Sequence, residues 1–226
     1  MKLKKIASLM LAGVMAVSML AGCNTTSTDP EQPTDPETPT TTGYSDVLAE
    51  NLSDDAKKDY IAFEDNADDL AALEDALGKL SWTTTAGYTM PKVATPVGDL
   101  LDVDSDLMVD DFVDALDIEN IDMNYNWVRN DLVFNPELNS AETVKYGLMY
   151  VIDGTVDEND ALEQIAGYVE GLLERLPNVN FDHAARYTYD YTVSVSVANK
   201  ALDVIDWYNG SANFIAVTVT RVPTAA

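Results

Sequence analysis

The sequence predicts an α+β domain of two layers, a small β-sheet packed by helices and led by a long N-terminal amphipathic helix. Three observations carry that expectation. Tyr60, Phe63, Ala67, Leu70, Leu73, Leu77 and Leu80 recur at spacings of three and four, one apolar stripe on a helix from about Ser53 to Leu80. Tyr187, Tyr189, Tyr191, Val193, Val195 and Val197 alternate with Thr188, Asp190, Thr192, Ser194 and Ser196, a strand with one apolar and one polar face. From Val144 to Val222 the pattern reads strand, helix, strand, short connection, strand.

The residues before this domain read as an address and a spacer. Lys2, Lys4 and Lys5 form a basic head, and Ile6 to Leu20 is an apolar run of 15 residues. That run is too short to span a bilayer and has the length of a secretory core region. It ends in Leu20-Ala21-Gly22-Cys23, and there the sequence resembles a bacterial lipoprotein signal with its lipobox. The resemblance implies that residues 1–22 are removed as a signal peptide and that Cys23 carries a diacylglyceryl thioether. It also implies a location on the outer face of the bacterial cytoplasmic membrane, with the membrane itself as a partner through the anchor. Each buried methylene contributes about 0.8 kcal/mol, so two acyl chains hold where one only visits. The match is silent on everything after Cys23. Residues 23–43 form a Thr/Pro-rich acidic linker in which Pro30, Pro33, Pro36 and Pro39 recur at the polyproline II period. At about 3.1 Å per residue such a stalk reaches roughly 60 Å.

Residues 44–226 fit a single domain, with a helical part over about 44–140 and a βαβ-like part over about 141–226. Ser53, followed by Asp54 and Asp55, suits a helix start. The stripe that follows either lies on the domain's own core or docks a partner. Leu107 to Leu116 predicts a second helix with Met108, Phe112 and Leu116 on one side. The stretch from Asn120 to Ser140 is polar and Asn-rich, with Trp127, Val128, Leu132 and Phe134 marking buried parts. Val144 to Ile152 predicts a strand. Asp157 caps a helix that buries Leu162, Ile165, Ala166, Val169, Leu172, Leu173 and Leu176 and stops at Pro177. Gly167 and Gly171 in it cost about 1 kcal/mol each against Ala, which predicts a close approach of helix to sheet. Asn199 to Tyr208 reads as a short helical or irregular connection closed by Asn209-Gly210, and Phe214 to Val222 as the last strand.

Charge and composition remove several functions. The chain holds 39 acids and 13 bases; without Lys2, Lys4 and Lys5 the balance is 39 against 10, or −29. That sign opposes nucleic-acid binding, in which Lys and Arg displace counterions, and electrostatic docking on anionic lipid. One Cys and one His leave no internal disulfide and no four-ligand zinc site. Gly-x-Ser-x-Gly, GxGxxG and GxxxxGK[ST] motifs do not occur.

Calcium is the one cofactor with any sequence support. Asp102, Asp104 and Asp106 start an EF-hand-like run, but Leu107 stands where Gly belongs and Val113 where a bidentate Glu belongs. Asp153, Asp157 and Asp160 resemble the second half of a dockerin-type calcium loop, with Met149 and Val151 in its first two ligand places. Both runs also read as helix-start chemistry. No catalytic residue stands out, since 35 acids in the domain single out no pair. His183 lies beside Asp182, where a surface or capping role is the commoner use. The row Tyr187, Tyr189, Tyr191 continues into valines and is expected to face the core, leaving Trp82, Trp127 and Trp207 as candidates for exposed aromatics.

The expectation for function is a lipid-anchored cell-surface protein with an acidic, non-catalytic binding domain and a cell-wall or surface-protein partner. Two alternatives stand beside it. One is an envelope enzyme hydrolysing glycan or peptide through two carboxylates. The other is a subunit of a surface complex docked through the Tyr60–Leu80 stripe.

Overall fold

The computed structural model describes residues 43–80, 90–99, 103–122, 127–135, 140–180, 186–204 and 208–225. The signal and almost all of the linker lie outside them. The fold is α+β, built on a mixed six-stranded sheet. At its centre β5 (Tyr187–Val204) and β6 (Tyr208–Ala225) pair antiparallel from Tyr187↔Ala225 to Val204↔Tyr208. On the other side of β6 lies β4 (Val144–Asp153), antiparallel, from Val144↔Arg221 to Asp153↔Ala212. Strands β4 and β5 therefore run the same way with β6 between them, joined by α5 (Glu158–Leu173). Short strands finish the edges. The three residues of β1 (Ile61–Phe63) lie parallel on β5. Strands β2 (Thr95–Pro96, antiparallel) and β3 (Ile118–Asp122, parallel) share the outer edge of β4.

Helices cover both faces of this sheet, so the two-layer expectation is corrected to three layers. Period-two alternation sends successive side chains to opposite faces, and both faces of β4 are apolar. Tyr146, Leu148, Tyr150 and Ile152 join one core with Leu48 of α1 (Tyr44–Glu50) and with Leu162, Ile165, Ala166, Val169 and Leu172 of α5. Met149 and Val151 join the other core with Leu73, Ala76 and Leu77 of α2 (Ala67–Lys79) and Met108, Val109 and Phe112 of α3 (Val103–Leu116). The polar face expected on β5 is wet only at its start. Thr188 and Asp190 are exposed, whereas Ser194 and Ser196 are buried, and α2 packs against this strand.

The single helix expected from Ser53 to Leu80 is shorter and begins later. Helix α2 spans Ala67–Lys79, with the Asn66 side chain accepting from the Asp68 N–H at its start. Upstream, Tyr60 and Phe63 belong to an extended segment that pairs with β5, the Tyr191 N–H donating to the Tyr60 carbonyl at 2.8 Å. The 3–4 spacing across this junction is coincidental. Tyr60 and Phe63 pack on one core, while Leu73, Leu77 and Leu80 pack in the other. Both halves of the stripe are thus used inside the domain.

Four further expectations meet the structure. Asp157 caps α5, and every apolar residue assigned to its inner face is buried. The connection expected over Asn199–Tyr208 is instead continued hairpin, because each residue from Asn199 to Val204 finds a cross-strand partner on β6. Gly167 and Gly171 do not serve a close approach. They face outward, and an added Cβ at either would meet nothing within 4 Å. In the Asn-rich stretch, α4 (Trp127–Arg129) runs into a π-helical turn, Asn130–Phe134; Val128 and Leu132 are buried but Phe134 is 60% exposed.

Candidate functional site

Polar groups inside an apolar fold are where chemistry is sought, because each must be bonded or cost free energy. Among the described residues the most deeply set carboxylate is Asp69, 1% exposed, in the first turn of α2. Its Oδ1 accepts from Lys145 Nζ of β4 at 2.7 Å and its Oδ2 from Thr218 Oγ1 of β6 at 2.5 Å. Both oxygens are engaged, and the pair fixes the end of α2 on the sheet. Sequence periodicity placed Leu70 rather than Asp69 on the buried side. A lone lysine at position 145, on a strand face otherwise shared by Met149 and Val151, was the signal that a partner had to exist.

On the opposite core, Arg221 is fully buried. It stands opposite Tyr191 on β5 and Val144 on β4, its guanidinium 4.8 Å from the Tyr189 ring centre. Tyr189 and Tyr191 are themselves buried, so this row faces the core as expected. Burial pushes the Tyr191 hydroxyl well above the usual tyrosine range, with the Arg221 charge pulling only partly against it. Tyr191 donates to the Pro177 carbonyl at 2.7 Å and Tyr60 to the Leu176 carbonyl at 2.8 Å, so both tyrosines hold the end of the α5 segment.

The turn from β4 to α5 carries the second calcium candidate. Asp153 Oδ1 accepts from Lys92 Nζ at 2.8 Å, the Thr155 N–H at 2.9 Å and Thr155 Oγ1 at 2.6 Å. Burial acts to raise its pKa, but these bonds outweigh it and the carboxyl sits below its ordinary value. Asp157 instead faces α5, accepting from the Asn159 N–H at 2.9 Å, and Asp160 lies in the helix's first turn. The three are neighbours along the chain with separate duties.

Asp102 lies outside the described residues. Asp104 and Asp106 stand on the helical backbone of α3, about 200° apart around its axis at 3.6 residues per turn. The helix expected from Leu107 thus begins four residues earlier, at Val103, and takes in Asp104 and Asp106. Among the described residues no three His, Cys, Asp or Glu side chains gather to hold a metal. Cys23, His183, Trp82 and Trp207 lie outside the described residues, as does the Trp127 side chain.

A third polar system binds the start of the domain to the rest, and no motif announced it. Ser45 is buried; its Oγ accepts from the Val195 N–H of β5 at 2.9 Å, and its N–H donates to Asp65 Oδ1 at 2.8 Å. Tyr44 donates to Glu158 of α5, and burial together with that carboxylate raises its hydroxyl well above the usual range. The Ser53 N–H donates to Glu170 at 3.0 Å and Lys58 Nζ to the Glu174 carbonyl at 2.5 Å. Set beside known proteins, the chain matches no family model, no curated protein and no solved structure.

Proposed function

We propose that the protein is a lipid-anchored cell-surface protein whose acidic α+β domain acts by binding. The observation that carries this reading is the Leu20-Ala21-Gly22-Cys23 lipobox behind a secretory-length apolar run and ahead of a proline-spaced stalk. The domain's chemistry agrees with it. The buried carboxylates of Asp69 and Asp153 are taken up by lysine and threonine donors. The stripe that offered a docking helix is spent in two cores. With 35 acids against 10 bases from Tyr44 onward, the partner is a cationic or uncharged group of the cell wall or a surface protein.

The test is fractionation of cells making the native chain or Cys23→Ser. The native protein is expected in the membrane fraction after a high-salt wash and to carry a lipid mass on its Cys23 peptide. The variant is expected in the soluble fraction. A free Cys23 thiol on the native protein, or a membrane-bound Cys23→Ser protein, overturns the reading.

A further inference from the structure

The first residues of the domain are arranged around one contact. Asp65 lies just after β1, yet its carboxylate reaches back to the Ser45 N–H at 2.8 Å. Gly43 passes directly under the same carboxylate, so closely that a Cβ there would collide with it. Ser45 in turn is seated on the sheet through the Val195 N–H. The residues between Ser45 and Asp65 thus form a strap closed on itself. Its inner side is core, with Leu48, Leu52, Ala56 and Ile61 all buried.

We propose that Gly43, Ser45 and Asp65 form a clasp that passes tension from the stalk into the central sheet, bypassing the strap. Force drawn through residue 43 meets the Ser45–Asp65 bond, the Ser45–Val195 bond and the Tyr44–Glu158 bond, all made by the first two residues of α1, before it reaches the rest of that helix or β1. Without the clasp the same force peels α1 and β1 in turn, because each turn of helix and each bond of the three-residue strand then breaks singly. With it, several bonds on β5 and α5 must fail together. The inference rests on the reading of Cys23 as the lipid anchor, which makes residue 43 the point at which a loaded stalk pulls.

Cys23 is the only cysteine, so the unlipidated full chain offers its thiol as a handle at the natural point of attachment. Single-molecule pulling between that thiol and a C-terminal tag is expected to unfold the native domain in one event. Asp65→Ala and Ser45→Ala are expected to add an earlier, weaker event that frees the strap, about 70 Å of chain at roughly 3.3–3.6 Å per residue. Asp65→Asn keeps an acceptor and is expected to restore the single event. Glu170→Ala, which removes a strap bond outside the clasp, is expected to leave it single. The proposal is overturned if the native chain itself frees the strap first, a result that needs no variant to fold. It is overturned equally if folded Asp65→Ala gives native traces. The mass of the Cys23 peptide from native membranes tests the anchor separately, so the failure of either idea is told apart from failure of the other.

Discussion

Single residues set the stability of this fold where charge is buried. Breaking a buried ion pair by removing one partner costs about 3–5 kcal/mol, because the other charge stays behind. Lys145 keeps 19% of its side chain exposed and can regain some water. Asp69→Ala is therefore expected to cost about 2–4 kcal/mol in urea unfolding. Asp69→Leu combined with Lys145→Met is expected to recover most of that loss. An additive loss in the double variant would show that the pair contributes net stability.

Asp153 gives a pH-dependent companion to this. Its folded carboxyl holds a proton less tightly than the unfolded one, so its bonds contribute fully above the unfolded value near 4 and are lost as pH falls through the lower folded value. Lys92→Met removes one of the bonds that depress it. The fall in urea midpoint between pH 7 and pH 3 is expected to be smaller in that variant than in the native protein.

At the scale of elements, the outward glycines of the helices are the clearest opportunity. Gly78 of α2 and Gly167 and Gly171 of α5 are exposed, and an added methyl group meets nothing at any of them. Glycine inside a helix costs roughly 0.5–1 kcal/mol against alanine. Each Gly→Ala change is expected to raise the urea unfolding free energy by about that much. A loss at any one would mean that its helix is strained there. The same elements show what periodicity can reveal. The buried side of α5, its Asp157 cap and the alternation of β4 and β5 were legible because each keeps one period over more than two turns or four pairs. The junction at residues 60–67 was not. A three-residue strand followed by a helix imitates a 3–4 spacing when both happen to be apolar at the right places. Nor could the hairpin's extension beyond Val197 be read, because cross-strand partners rather than a local pattern hold Asn199 to Val204 in the sheet.

For the molecule as a whole, negative charge is spread over a fold that holds many of its few cations in internal bonds. Lys58, Lys79, Lys92, Lys145 and Arg221 are each engaged with carboxylates, backbone carbonyls or a ring. Self-repulsion of the remaining carboxylates opposes compaction and is screened by salt, the Debye length falling from about 30 Å at 0.01 M to about 10 Å at 0.1 M. The melting temperature is expected to rise over that interval of sodium chloride, and a flat or falling curve would contradict the picture. The two cores are legible only at this scale. A strand apolar on one face announces one layer, and it took β4, apolar on both, to call for helices on each side. The site most in need of a signal, the Ser45–Asp65 contact, left none, because a serine and an aspartate twenty residues apart are ordinary in so acidic a chain.

The order of the strands has a consequence for the newborn polypeptide. Strand β6 occupies the slot between β4 and β5 but is synthesised after both. A chain emerging from the ribosome therefore holds β4 and β5 without the strand that bridges them in the finished sheet. Closure of the sheet waits for the arrival of Tyr208–Ala225, so the central strand is the last of the six to leave the ribosome.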